Sequence, residues 1–172
     1  MKVTIALCIA VAFAITLRSM PVIAQNPAGG AHDDSRLQAF TKANHLAESY
    51  NMLLKRLEKS KLRLGENQND QASQADARYT IARAIVFALS VKSDGEEAKF
   101  LPDDFKRQIE KCRLIGDGYA ESMKLKLTHE SDLQTIVTAS QNVNPVRLSS
   151  TLDALLSELH AIDIDAIPFP KL

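Results

Sequence analysis

Residues 35–64, with the sequence SRLQAFTKANHLAESYNMLLKRLEKSKLRL, decide the fold class of this chain. Their apolar side chains recur at steps of three and four residues: Ala39, Ala43, Leu46, Tyr50, Leu53, Leu57 and Leu64, with Phe40, Ala47 and Leu54 widening the same face. This spacing is typical of an amphipathic α-helix. Ser35 and Gln38 have the spacing of a capping box, so we predict that the helix begins at Ser35 and ends at Gly65.

Two further helical patterns follow along the chain. The first consists of Ala75, Tyr79, Ala82, Val86 and Leu89, beside Ile81, Ile85 and Ala88, and closes near residues 93–95. Pro102, Asp103 and Asp104 then form a start signal, because proline fits the first turn and acids complement the helix dipole. The helix after it carries Phe105, Ile109, Cys112, Ile115, Tyr119 and Met123. Gly116 and Gly118 interrupt it and predict a kink or two short helices.

The C-terminal third adds shorter helical signals. Ser131 is the predicted cap of a fourth helix with Leu133, Ile136 and Val137, and Asn144 and Pro145 open a fifth with Leu148, Leu152, Leu155, Leu156 and Leu159. No segment alternates with the period of a strand. We therefore predict an all-α fold, a four- to five-helix up-and-down bundle over residues 35–165. Pro168 and Pro170 exclude a helix from the tail, residues 166–172, while Ile162, Ile164, Ile167 and Phe169 can lie across the bundle.

The N-terminus has the three parts of a secretory signal peptide. Lys2 supplies the positive charge, residues 3–17 form an uncharged apolar run, and Val22, Ile23 and Ala24 provide a small-residue cleavage site. The run is shorter than the roughly 20 residues that span a bilayer, which disfavours a retained anchor. We expect residues 1–24 to be removed after Ala24, with bacterial export to a periplasmic or secreted location. Residues 25–34, with Pro27 and two glycines, are expected to form a flexible linker.

Net charge, motifs and residue spacing disfavour several classes of function. The formal net charge is zero, which disfavours a nucleic-acid partner. No nucleophile elbow or phosphate-binding loop is present, and no glutamate precedes a histidine by three residues as in di-iron bundles. We read His45 with Glu48, and His160 with Asp163, as surface contacts, and we expect no metal and no cofactor. Cys112 is the one cysteine after cleavage; its place on a helical stripe favours core packing over an intermolecular disulfide or a nucleophile.

The last turns of the first helix hold the most uneven charge in the chain: Lys55, Arg56, Lys59, Lys61 and Arg63, against Glu58 alone. Cations at this end complement the helix dipole, which is a purely structural explanation. The functional explanation is contact with an anionic surface: lipid headgroups, an envelope polymer or an acidic patch of a partner. An acidic stretch, Asp94, Glu96, Glu97, Asp103 and Asp104, is the candidate counterpart within the chain. If the two regions meet, the charges serve assembly; if they lie apart, each is a contact surface.

No spacing in the chain is specific to a reaction, so the sequence predicts function only by elimination. The leading hypothesis is an exported, non-catalytic binding module for an envelope or extracellular protein partner, since broad amphipathic helices can dock a partner. One alternative is a carrier of a lipid or other hydrophobic ligand, with the basic turns of the first helix holding an anionic headgroup. The other is an enzyme whose site is built from scattered residues.

Overall fold

The computed structural model describes residues 30–92, 96–165 and 167, and these contain five α-helices and two short 3₁₀ helices. The α-helices are α1 (Gly30–Glu66), α2 (Gln71–Ser90), α3 (Asp103–Ser122), α4 (Leu133–Ser140) and α5 (Leu148–His160). The 3₁₀ helices, Glu96–Phe100 and Pro145–Arg147, precede α3 and α5. No strand occurs in these ranges, so the predicted all-α fold with five helices is confirmed.

The long helix α1 begins earlier than predicted. It starts at Gly30, so residues 30–34 of the expected linker are helical and Ser35 lies inside the helix. The prediction that Ser35 caps α1 is therefore wrong. The predicted signal peptide, residues 1–24, and residues 25–29 lie outside the described residues. The predicted apolar face is confirmed for most of its residues, since Ala43, Tyr50 and Leu57 are at most 3% exposed, while Leu46 and Leu54 are half-buried.

The central element of the bundle is α2, which packs against α1, α3, α4 and α5. Its buried side chains therefore point in several directions: Ser73, Ala77, Thr80, Ile81, Ala82, Ala84, Ile85 and Ala88. The predicted leading stripe is partly wrong, since Ala75 is exposed and Tyr79, Val86 and Leu89 are only half-buried. A helix with neighbours on several sides has no single apolar face, so a one-face pattern misassigns it.

The predicted break in α3 is wrong, because the helix runs without interruption through Gly116 and Gly118. A Cβ atom added to Gly116 would lie 2.9 Å from the Ala88 Cβ and 3.0 Å from the Leu89 backbone nitrogen. Gly116 thus lets α3 approach the backbone of α2 closely. Packing of this kind offsets the roughly 1 kcal/mol that glycine costs in a helix interior.

Side-chain caps fix the starts of α2 and α4. The Asp70 carboxylate accepts the Ser73 backbone N–H at 2.9 Å, and the Asp132 carboxylate accepts that of Thr135 at 2.7 Å. The prediction that Ser131 caps α4 is wrong, since its hydroxyl accepts the Thr128 backbone N–H instead. Aspartate and serine are comparable caps, and the structure selects the residue next to the helix.

The predicted apolar residues of α5 are all buried, whereas those of α4 are only partly so. All five predicted leucines of α5 are buried: Leu148, Leu152, Leu155, Leu156 and Leu159. In α4, Ile136 is buried as expected, but Leu133 is 64% and Val137 is 38% exposed, so these two assignments are wrong. The helix is only eight residues long, too short for its apolar period to identify the buried side.

The segment after α5 lies across the bundle as predicted for its described part. Ile162, Ile164 and Ile167 are buried, and Phe169 lies outside the described residues. The Asn44 side chain of α1 holds this segment with two hydrogen bonds. Its Nδ2 donates to the Ile167 carbonyl at 3.1 Å, and its Oδ1 accepts the Ile167 N–H at 2.7 Å. The two bonds fix the segment against α1.

Candidate binding surface

The structure divides the five predicted cations of α1 into two groups. Arg56 forms an ion pair with Asp76 of α2, and Lys61 forms one with Asp153 of α5 at 2.6 Å. Asp76 also accepts a hydrogen bond at 3.0 Å from Ser60, which is only 1% exposed. These two cations therefore connect α1 to its neighbours and are engaged within the fold.

The other three cations, Lys55, Lys59 and Arg63, point to solvent. All three are exposed, and none forms an ion pair with a residue that the structure describes. They follow each other at steps of four residues, which places them on one side of the helix. Their charge is thus presented outward on a single face.

Two apolar side chains share that face, a feature that the sequence interpretation missed. Met52 and Leu62 are each 64% exposed. At the helical repeat, Met52, Lys55, Lys59, Leu62 and Arg63 fall within about 100° of arc around α1. We call these five residues the α1 surface. The signal was present in the sequence, because Met52 and Leu62 interrupt the polar side opposite the core stripe.

The acidic stretch does not supply partners for these cations among its described side chains. Asp103 pairs with Lys106 at 3.1 Å and Asp104 pairs with Arg107, both within the first turns of α3. Asp94 and the side chains of Glu96 and Glu97 lie outside the described part. Glu48 and Glu66, both exposed, flank the α1 surface at its two ends.

The three histidines whose side chains the structure describes, His45, His129 and His160, each contact a single carboxylate. His45 lies 3.6 Å from Glu48, as predicted, and His129 lies 3.5 Å from Glu130. His160 contacts Glu58 of α1 at 3.1 Å, a cross-helix contact that the sequence did not indicate. Across residues 30–92, 96–165 and 167, no group of three or more His, Cys, Asp or Glu side chains is arranged to hold a metal ion.

Cys112 is fully buried, which confirms core packing. Burial raises the pKa of its thiol to about 12, because the thiolate is poorly solvated in an apolar environment. The hydroxyl of Tyr50, also in the core, donates a hydrogen bond to the Leu159 carbonyl. Burial raises the pKa of Tyr50 as well. Both groups therefore stay protonated and contribute to packing.

The surface of the described residues includes two grooves that lie away from α1. One, of about 410 Å³, runs between α3 and α5, where the Tyr119 hydroxyl donates to Glu158 at 3.1 Å. The other, of about 420 Å³, lies along α4. No residue of α1 lines either of them.

No family model, curated protein or solved structure matches this chain. Within the described ranges, none of the helices combines the length and apolar character needed to cross a bilayer. Among the features above, the α1 surface combines three exposed cations with two exposed apolar side chains on one helix face.

Proposed function

We propose that this protein is an exported binding module whose α1 surface docks an acidic patch on a protein partner in the periplasm or outside the cell. In this proposal the chain is an up-and-down helical bundle, released from its signal peptide after Ala24. The protein does no covalent chemistry and acts through surface recognition.

The exposure of Met52 and Leu62 among three cations without ion pairs carries the proposal. Apolar side chains that become buried on binding supply affinity, and full burial of one contributes about 1.5–3 kcal/mol relative to full exposure. Charges around them steer the partner and select one of opposite sign. Methionine and arginine are also enriched in protein interfaces, while charged residues surround the buried centre.

The number of available cations favours a protein over a lipid surface. Recognition of anionic lipids is typical of clusters of four to eight basic residues, each contributing about 1 kcal/mol near the membrane. The α1 surface offers three, and Glu48 and Glu66 at its ends would be repelled by an anionic bilayer. A partner with a local acidic patch needs only to match the three cations.

The two alternatives have less support. A lipid carrier needs an interior open to its ligand, whereas the centre of this bundle is filled by side chains such as Leu57, Ile81 and Leu155, all fully buried. An enzyme needs convergent acid, base or nucleophile groups. The three histidines with described side chains each contact a single exposed carboxylate, and Cys112 is kept protonated by burial.

Site-specific photo-cross-linking in the producing cells tests the proposal. A photoreactive residue at Met52 or Leu62 is expected to give a discrete protein adduct, and one at Val146, which is 89% exposed, is expected to give none. The Lys59→Glu substitution should abolish the adduct, while Lys111→Glu, which changes an exposed cation of α3, should preserve it. Equal adducts from Val146, or adducts insensitive to Lys59→Glu, would contradict the proposal.

The export part has its own test. The intact mass of the protein from an envelope fraction or culture medium is expected to match a chain that begins at Gln25. A product that retains Met1 in the cytoplasmic fraction would refute export while leaving the surface proposal open to the cross-linking result.

A further inference from the structure

The groove along α4 is lined by two lysines and otherwise by neutral side chains. Its walls are formed by Lys124, Lys126, Gln134, Thr138 and Asn142, and the nearly buried Ala139 lies at its base. No acidic side chain is among the residues that line it. Its volume of about 420 Å³ lies within the roughly 300–1,000 Å³ typical of small-molecule sites.

The two lysines are placed side by side by the segment after α3. Leu125 and Leu127 are buried, at 6% and 7% exposed, whereas Lys124 and Lys126, which alternate with them along the chain, are exposed and line the groove. Neither lysine forms an ion pair with a residue in the described ranges. Two ammonium groups therefore face the same groove without an internal counter-charge.

Lys124 occupies a backbone conformation that normally belongs to glycine. Its φ is 54°, in the left-handed region, and it is the only described residue other than glycine with a positive φ. Its N–H donates to the Glu121 carbonyl at 2.9 Å, and the Leu125 N–H donates to the Ala120 carbonyl at 2.9 Å. These bonds form a helix C-terminal motif in which glycine is the usual residue. A lysine here retains strain of the kind that concentrates at functional sites.

The opposite wall offers neutral hydrogen-bonding groups. The side-chain amides of Gln134 and Asn142 are exposed and make no hydrogen bond to another described residue. Each amide has two N–H donors and one acceptor oxygen. The Thr138 hydroxyl donates to the Gln134 carbonyl at 2.9 Å and keeps its lone pairs available. Such groups pair with hydroxyls, which both donate and accept.

We propose that the α4 groove binds a sugar that carries one anionic group, a phosphate or a carboxylate. Lys124 and Lys126 pair with the anion, and the amides of Gln134 and Asn142 hydrogen-bond the sugar hydroxyls. The site is separate from the α1 surface, because none of its residues belongs to α1. It therefore does not depend on the protein partner proposed above.

Isothermal titration of the purified protein with four probes tests this: glucose 6-phosphate, glucuronate, glucose and inorganic phosphate. We expect at least one of the two anionic sugars to bind at least tenfold more tightly than both glucose and inorganic phosphate. The tighter of the two identifies the anion. If neither anionic sugar binds, or if inorganic phosphate binds as tightly as both, the proposal is overturned.

The decisive variant is Lys124→Gly, because it removes the charge while relieving the backbone strain. The fold is therefore preserved, and affinity for the anionic sugar is expected to fall about tenfold. Lys111→Gln, which removes an exposed cation elsewhere on α3, should leave affinity unchanged. Asn142→Ala should weaken binding of the sugar more than binding of inorganic phosphate. Unchanged affinity in Lys124→Gly, at full stability, would refute the site.

Discussion

Replacing each of the two glycines of α3 by alanine should change stability in opposite directions. A Cβ atom at Gly118 meets nothing within 4 Å, so Gly118→Ala keeps all contacts and gains helix propensity. The expected gain in the free energy of unfolding is about 1 kcal/mol. The same propensity gain applies to Gly116→Ala, but its Cβ would lie 2.9 Å from that of Ala88.

The loss of stability in Gly116→Ala follows from the 2.9 Å distance between the added Cβ and the Ala88 Cβ. Carbon atoms pack at about 3.5–4.0 Å, so α2 and α3 must separate by roughly 0.6–1 Å. The clashing atoms are a Cβ and the backbone of Leu89, which have no rotamer that moves them away. Overpacking of this kind costs about 1–3 kcal/mol. Subtracting the propensity gain, Gly116→Ala is expected to lower stability by about 0–2 kcal/mol.

Urea denaturation followed by circular dichroism at 222 nm measures both variants. The difference between them, about 1–3 kcal/mol, isolates the packing cost, because the propensity change is common to both. If Gly116→Ala stabilises the protein as much as Gly118→Ala does, the close approach of α2 and α3 is wrong. A change in the slope with denaturant would indicate an altered native or unfolded state instead.

Three further predictions concern hydrogen bonds and burial. Asn44→Ala removes both hydrogen bonds to Ile167 and should lower the free energy of unfolding by about 1–3 kcal/mol. Hydrogen exchange of the Ile167 amide should become faster, and an unchanged exchange rate would contradict the role of Asn44. Hydrogen bonds from Ser73 lower the pKa of Asp70, so the contribution of Asp70 to stability is present above the unfolded pKa of about 3.9 and is lost as pH falls through the lower folded pKa. An NMR titration of the Asp70 carboxyl should show the lowered pKa, and an ordinary pKa would contradict the cap. Cys112, whose pKa burial raises to about 12, should resist alkylation by iodoacetamide at pH 8 until the protein unfolds; rapid labelling of the native protein would contradict its burial.

The helices that the sequence predicted best are those with one buried side. In α5 the five leucines share one face and are all buried, and α1 likewise buries its predicted stripe. Period alone identifies the buried side of such a helix. For α2 it cannot, because contacts with four other helices bury residues on most of its circumference. The number of neighbours is a property of the tertiary fold, and no local pattern encodes it.

Two details depended on distances that the sequence does not contain. Gly116 has the local signature of a helix break, yet its role is set by the close approach of the Ala88 Cβ and the Leu89 backbone on α2. The choice between Ser131 and Asp132 as the cap of α4 depends on where the helix begins, since both residues are good caps. In each case helix propensity located the helix correctly but assigned the wrong role to the residue, a break at Gly116 and a cap at Ser131.

The candidate site was predicted only in part, because it too depends on which residues of other helices lie nearby. The cluster of five cations is visible in the sequence, but the partners of Arg56 and Lys61, Asp76 and Asp153, lie on other helices. The exposed apolar residues Met52 and Leu62 become informative only once the core side of α1 is assigned. The α4 groove has no sequence signature, since it brings together two segments with ordinary polar residues.

The division of the α1 cations connects the fold to the proposed function. Arg56 lies against Asp76, whose side chain is 17% exposed and is also bonded by the buried Ser60, so this cation serves the contact between α1 and α2. Lys55 and Lys59 have no such partner in the described structure, and isolated surface charges contribute little to stability. Reversing the charge of Lys59 therefore changes the electrostatic potential of the α1 surface without disturbing the core. Reversing the charge of Arg56 would change the potential and would also disturb the contact between α1 and α2. This separation of charge from stability means that loss of partner binding in Lys59→Glu can be attributed to the α1 surface itself.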